Sequence, residues 1–198
     1  MFRNMSFEKS RPLTEAKVMR ALAHPTRIDL LELIAREGEL TATRAAELLG
    51  MTPANCSFHL RRLAENGFVQ EASRGPGRTR NWKIGSVGHS WDGVGADAET
   101  TAAAAALTSA VLERDVGRLR EWLLVREQSA TPEWRRAAFV DEALMYVTRE
   151  ELEELGASIL ERVMGYIDRI DPSNRPPDAV AVQFLAAGFP LPPTATGN

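Results

Sequence analysis

The 198-residue chain reads as mainly helical with a small β component. A cluster of short helices is closed by a β-hairpin, one long helix follows, and a helix-strand-helix-strand α+β part ends the chain. Three observations predict this. Apolar residues recur at helical spacing between residues 14 and 66, with Gly38 and Gly50 as breaks. From residue 68 the period shortens, and "FVQEAS" and "TRNWKIG" read as two strands joined by "RGPG". Leu112, Val116, Leu119 and Leu123 then stand four, three and four apart, the spacing of a helix that packs on another helix.

Each element has a local reason. Residues 14–22 place Val18 and Leu22 on one face of a first helix. Pro25 suits the first position of the second helix, because the N–H it lacks would be unpaired there. Ile28, Leu30, Leu31 and Ile34 give that helix its apolar stripe, and Gly38 ends it. "TATRAAELLG" is a third, shorter helix closed by Gly50, where a left-handed residue is easiest. Thr52 can cap the fourth helix, with Pro53 at its first position and Asn66-Gly67 at its close. Cys56, Leu60 and Leu63 form its inward face. Helices followed by a hairpin with a Gly/Pro/Arg tip make the order of a winged helix-turn-helix, over residues 1–84.

Residues 85–98 are Gly-rich, lack periodicity and read as a linker. The long helix is expected from about Glu99 to Gln128. It opens a dimerisation part that carries a candidate effector function, over residues 99–198. Thr131-Pro132 starts another helical turn, "FVDEALMYV" reads as a strand, Thr148 and Glu151 form a capping box, and "AVAVQFLAA" reads as a last strand.

Composition narrows the function classes. A 44% hydrophobic content is that of a globular chain. One cysteine gives no internal disulfide framework and fits a reducing cytoplasm. No apolar run is long enough for a signal peptide or a membrane helix, so the expected location is the cytoplasm, off the membrane. Charge is uneven: residues 1–90 hold 14 Lys/Arg against 9 Asp/Glu, and residues 91–198 hold 10 against 18. A basic first half suits a polyanionic partner.

The stretch "RALAHPTRIDLLELI…TRAAELLGMTPANCSFHLRRLAENGFVQEASRGPGRTRNWKI" resembles the ArsR-type winged helix-turn-helix transcriptional regulators, over about 65 residues. "ALAHPTRIDLL" is similar to the family's second-helix opening, and "SFHLRRLAENGFV" to its recognition helix and the turn into the wing. The resemblance implies a dimer on an imperfect palindrome near a promoter. Metal-sensing members carry a Cys-x-Cys pair at the start of the third helix. Here Thr41 and Thr43 stand at those places, and the long helix has no histidine, so no metal site and no cofactor are expected.

An α-helix fits the DNA major groove and meets base edges with its exposed N-terminal residues. With Cys56, Leu60 and Leu63 inward, the outward residues are Pro53, Ala54, Asn55, Ser57, Phe58, Arg61 and Arg62, beside the cap Thr52. Asn55 suits adenine, an arginine suits guanine, and Ala54 and Phe58 suit a thymine methyl. Phe58 packed under a neighbour, and Asn55 as a helix-start group only, are the bland alternatives. His59 is expected near the edge of this face, able to donate to a phosphate, with a partly buried structural histidine as its alternative. Arg74, Arg78 and Arg80 flank the wing and would reach phosphates or the minor groove.

Cys56 and His59 lie three apart and could approach each other. No orienting acid or oxyanion loop joins them, so Cys56 reads as a buried hydrophobe, with redox sensing and catalysis as its alternatives. No paired-carboxylate, phosphate-loop or nucleophile constellation suggests an enzyme.

The leading reading is a homodimeric repressor on double-stranded DNA with an inverted-repeat operator. Leu112, Val116, Leu119 and Leu123 would pair it across a two-fold axis. A small-molecule effector in a pocket lined by Trp91, Trp122, Trp134, Phe139, Tyr146, Tyr166 and Phe184 is one alternative. A protein-interaction module is another, in which the winged helix meets protein and the acidic helix "TREELEELGASILERV" meets a partner.

Overall fold

The computed structural model describes residues 11–72, 80–86, 88–91, 93 and 95–192. Strand β1 (Arg11–Leu13) precedes helices α1 (Ala16–Leu22) and α2 (Pro25–Glu37). Strand β2 (Glu39–Thr41) leads into α3 (Ala42–Leu49), and α4 (Pro53–Glu65) runs into β3 (Val69–Glu71). Strands β4 (Asn81–Ile84) and β5 (His89–Trp91) come before the 32-residue α5 (Ala98–Ser129). α6 (Pro132–Ala137) and α7 (Arg149–Met164) follow, then 3-10 turns at Ile167–Ile170 and Pro172–Asn174.

The helix ends obey their local chemistry. Pro25 and Pro53 open α2 and α4. Thr41 Oγ1 accepts from Arg44 N at 3.1 Å, and Thr52 Oγ1 from Asn55 N at 3.3 Å, satisfying donors that a helix start leaves unpaired. Gly50 closes α3 in the left-handed region at φ 64°, and Gly38 closes α2 at φ 85°. Thr148 and Glu151 make the expected capping box of α7.

β2, β4 and β3 form an antiparallel sheet in that order, with Leu40 opposite Trp82 and Val69 opposite Ile84. β1 and β5 pair in parallel, Arg11 opposite His89. β5 lies inside the stretch 85–98 that its glycines mark as a linker. Three residues carry too little pattern to announce a strand whose partner is more than seventy positions away.

One core unites α1 to α4 and the sheet: Met19, Leu30, Ile34, Cys56, Leu60, Leu63 and Phe68 are fully buried. It extends past the wing, because Ala103, Ala104 and Leu107 in the first turns of α5 belong to the same cluster. Their small side chains let α1 lie close against α5. Further along α5, Arg114 and Arg118 both bond Glu32 of α2, and Arg118 also reaches Asp29 at 3.3 Å. Neighbouring Asp115 is buried and accepts from Gln183 at 3.3 Å. Burial pushes its carboxyl up, against the pull of Arg114 and Arg118.

Arg175 binds the C-terminal turns to the end of α2. Its guanidinium donates to the carbonyls of Arg36 and Ala35, each at 2.7 Å, and to those of Arg169 and Ile170, each at 2.8 Å. The first two are last-turn carbonyls, which have no partner within their own helix. Pro172 stands so close to Gly38 that a Cβ there would lie 2.8 Å from the proline ring.

The C-terminal half differs from expectation. "FVDEALMYV" and "AVAVQFLAA" are not strands: residues 138–147 and 178–192 carry no ladder. Alternation marks a segment fit for pairing, but a strand exists only where a neighbour takes its N–H and C=O groups, and within one chain neither segment has one. Their apolar residues consequently stay exposed, among them Phe139, Leu144, Tyr146, Val182 and Phe189.

Candidate nucleic-acid interface

The candidate interface is built on α4. Cys56, Leu60 and Leu63 are each fully buried against α2 and α3, which fixes the rotation of the helix about its axis. The opposite face then presents Thr52, Pro53, Ala54, Asn55, Phe58, Arg61 and Arg62 to solvent, with Ser57 half-buried at its margin. Thr52 provides the cap, so the Asn55 side chain is not spent on it.

Phe58 is 49% exposed. It stands edge-on to His59, ring centroids 5.2 Å apart, and the Arg62 guanidinium lies 5.7 Å from its centroid. Arg62 also donates to Glu65 at 2.9 Å, whereas Arg61 projects into solvent at the other side of the face. At the base of the wing Arg80 pairs with Glu71 across the strands at 3.0 Å. Arg74 and Arg78 lie outside the described residues.

His59 is not where the sequence suggested. It is 7% exposed and stacks on His24, ring centroids 4.6 Å apart. The 100° step of a helix puts position 59 next to Cys56 and Leu63 on the inward side, so it does not edge the solvent-facing surface. Burial holds both imidazoles below the ordinary histidine range. For His59 the neighbouring His24 and Arg27 add to this, and for His24 so does Arg27. Burial pushes the Cys56 thiol up, away from the reactive thiolate.

Sequence reasoning missed the residues beside this face. Lys17 of α1, and His24 and Arg27 at the start of α2, line a cleft with Phe58, His59 and Arg62. A signal existed: Arg27 puts a cation in the first turn of a helix, where the dipole disfavours it.

Two expected features do not assemble within one chain. The aromatic residues do not converge on a pocket: Tyr146 is 98% exposed, and Trp91 is engaged with Thr108 Oγ1 at 2.9 Å. Only Phe139 and Phe184 approach each other, edge to face at 6.5 Å. The α5 seam is uncovered at Leu112 (46% exposed) and Leu123 (40%), with Val116 and Leu119 half-buried. Among the described residues no group of three or more His, Cys, Asp or Glu side chains could hold a metal ion. Nor is any helix long and apolar enough to cross a membrane.

Residues 22–71 match the family described as a helix-turn-helix domain. The chain is 38% identical over 74 residues to a probable mercury resistance operon repressor of Streptomyces lividans, covering 37% of this chain and 57% of that protein. It is 33% identical over 67 residues to a cadmium resistance transcriptional regulatory protein, a CadC homologue, of Staphylococcus aureus, covering 34% and 55%. The chain thus spans little more than half the length of either relative. Among solved structures it is similar to reduced HlyU from Vibrio cholerae, at 23% identity and a TM-score of 0.31, over 35% of this chain and 70% of that one. It is also similar to a homodimeric winged helix-turn-helix DNA-binding domain from Mycobacterium bovis, a possible ArsR-family regulator, at 28% identity and a TM-score of 0.32, over 36% and 63%. The matched span runs from the end of α1 to the end of β3, so that this part of the chain is a helix-turn-helix domain, with β3 and β4 paired as a hairpin behind α4.

Proposed function

We propose that the protein is a sequence-specific DNA-binding transcriptional regulator, acting as a homodimeric repressor on an inverted repeat. The observation that carries this reading is the division of α4. Cys56, Leu60 and Leu63 are sunk in the core with His59 beside them, and Asn55, Phe58, Arg61 and Arg62 share the opposite, solvent-facing side. In the major groove that side offers Asn55 to adenine, Arg61 or Arg62 to guanine, and Ala54 or Phe58 to a thymine methyl. Thr52, Pro53 and Ser57 lie along the groove wall. Arg74, Arg78 and Arg80 of the wing follow the adjacent backbone or minor groove, and His59 supports the helix from behind. Two copies pair through Leu112, Val116, Leu119 and Leu123, which spaces the two α4 helices about one DNA turn apart.

Two relatives are named for mercury and cadmium resistance. This chain has one cysteine, fully buried, and Thr41 serves as a helix cap where a metal thiolate would be needed. The signal it answers is therefore not read by a multi-cysteine site.

Selection of binding sites from random duplex DNA, followed by affinity against salt, tests the reading. An enriched inverted repeat and a steep salt slope are expected. Arg61→Ala should cost about 1–3 kcal/mol if it reads a base, and flatten the slope by about one if it meets a phosphate. A folded dimer that enriches no sequence would overturn the proposal.

A further inference from the structure

A cleft of about 470 Å³ opens between α1, α2 and α4, beside the groove-facing surface. Lys17, His24, Arg27, His59 and Arg62 line it, and Glu65 is the one acid on its rim. Glu65 is already engaged by Arg62 at 2.9 Å. Arg20 of α1 is near by, but it is neutralised by Glu99 of α5 at 2.5 Å. The balance of the cleft is therefore positive, with Lys17 and Arg27 uncompensated.

Three nitrogens of its lining side chains are enclosed and have no partner among the described residues: Nδ1 of His24, Nδ1 of His59 and Nε of Arg27, whose Nη2 donates to the Arg20 carbonyl at 3.4 Å. Buried polar atoms are almost always bonded, so three orphans in one corner ask for an explanation. His59 is the strongest case, being 7% exposed while lining the cleft. Arg27 also lies in the first turn of the 13-residue α2, where the helix dipole already favours negative charge. Cations and unpaired donors gathered at a positive helix end lack only an anion.

We propose that this cleft is a binding site for a tetrahedral oxyanion, a sulfate- or phosphate-type group, held by Lys17 and Arg27 and joined by His24 and His59 in their protonated forms. The proposal does not rest on the DNA reading. In the unoccupied cleft, burial first and the cations around them next hold both imidazoles below the ordinary histidine range. An anion in the cleft beside the stacked rings reverses that field, so binding takes up protons and tightens as pH falls. The site thus gives the molecule a response to acidity and to oxyanions together.

The test is a histidine-ring NMR titration of the full chain from about pH 3 to about pH 8, wide enough to include His89, in chloride and in sulfate at equal ionic strength. Sulfate does not titrate in this range. His89, the third histidine, is enclosed elsewhere against Phe68 and Ser86 and serves as the internal control. Sulfate should raise the midpoints of His24 and His59 by about half a pH unit or more and leave His89 unmoved. Arg27→Gln and Lys17→Gln, each checked for retained fold by circular dichroism, should abolish the shift. Lys17 is exposed, so its replacement keeps the test open if Arg27→Gln does not fold. Equal shifts in all three histidines, no shift, or a shift that survives both substitutions would overturn the site. A short duplex of arbitrary sequence then separates the sources. If it produces the same shifts and competes with sulfate, the group is a backbone phosphate of nucleic acid. If sulfate or phosphate acts and the duplex does not compete, it is a free anion.

Discussion

At the scale of single residues, Cys56 and His89 show how burial shapes chemistry. Cys56 occupies a fully enclosed position of α4 where only a small apolar group fits. Cys56→Ser should cost about 1–3 kcal/mol in urea unfolding, because a hydroxyl there loses water without a designed partner. The native thiol should resist alkylation until the chain unfolds. His89 has its pKa lowered to about 4, by burial first and by Arg11 next. Its folded value is depressed, so its contribution to stability is complete above the unfolded value near 6.5 and is lost as pH falls toward about 4. The loss amounts to about 3 kcal/mol, read as a fall in unfolding free energy across that window. His89→Asn should flatten the fall.

At the scale of elements, the helix ends separate backbone strain from collision. Gly50→Ala meets no atom within 4 Å and should cost about 1 kcal/mol, for the left-handed conformation alone. Gly38→Ala adds a clash with Pro172 and should cost more, in the same thermal-melt comparison. Arg175→Ala, which releases four carbonyls, should lower stability by about 2 kcal/mol. The helices were legible in the sequence because caps, prolines and glycines act locally. Pro25, Thr52, Pro53 and Gly50 each hold the place their chemistry suggests. β1, β2 and β5 were not legible, since three-residue strands owe their existence to distant partners. The solvent-facing residues of α4 could be read from its apolar spacing. His59 was misplaced because three inward residues do not show how wide the buried face is. The cleft beside it joins α1, α2 and α4, and no periodicity reports such a meeting.

At the scale of the molecule, the apolar surface of the second half needs cover. Leu112 and Leu123 are exposed along α5, and the segments 138–147 and 178–192 carry more. A second copy that paired α5 with α5 would hide the seam. Sedimentation should therefore show a dimer in dilute solution. Leu112→Glu combined with Leu123→Glu should give a monomer that keeps its helical content, since neither side chain is part of the buried core. A monomeric native chain would count against the pairing.

The parallel β1–β5 pair and the burial of Ala103, Ala104 and Leu107 have a mechanical consequence. α5 is gripped by the body that carries α4 from its base as far as Arg118, which bonds α2. At a rise of 1.5 Å per residue the gripped stretch from Ala98 to Arg118 is about 30 Å long. α4 and α5 therefore turn as one rigid piece: whatever sets the direction of α5 also sets the direction of α4.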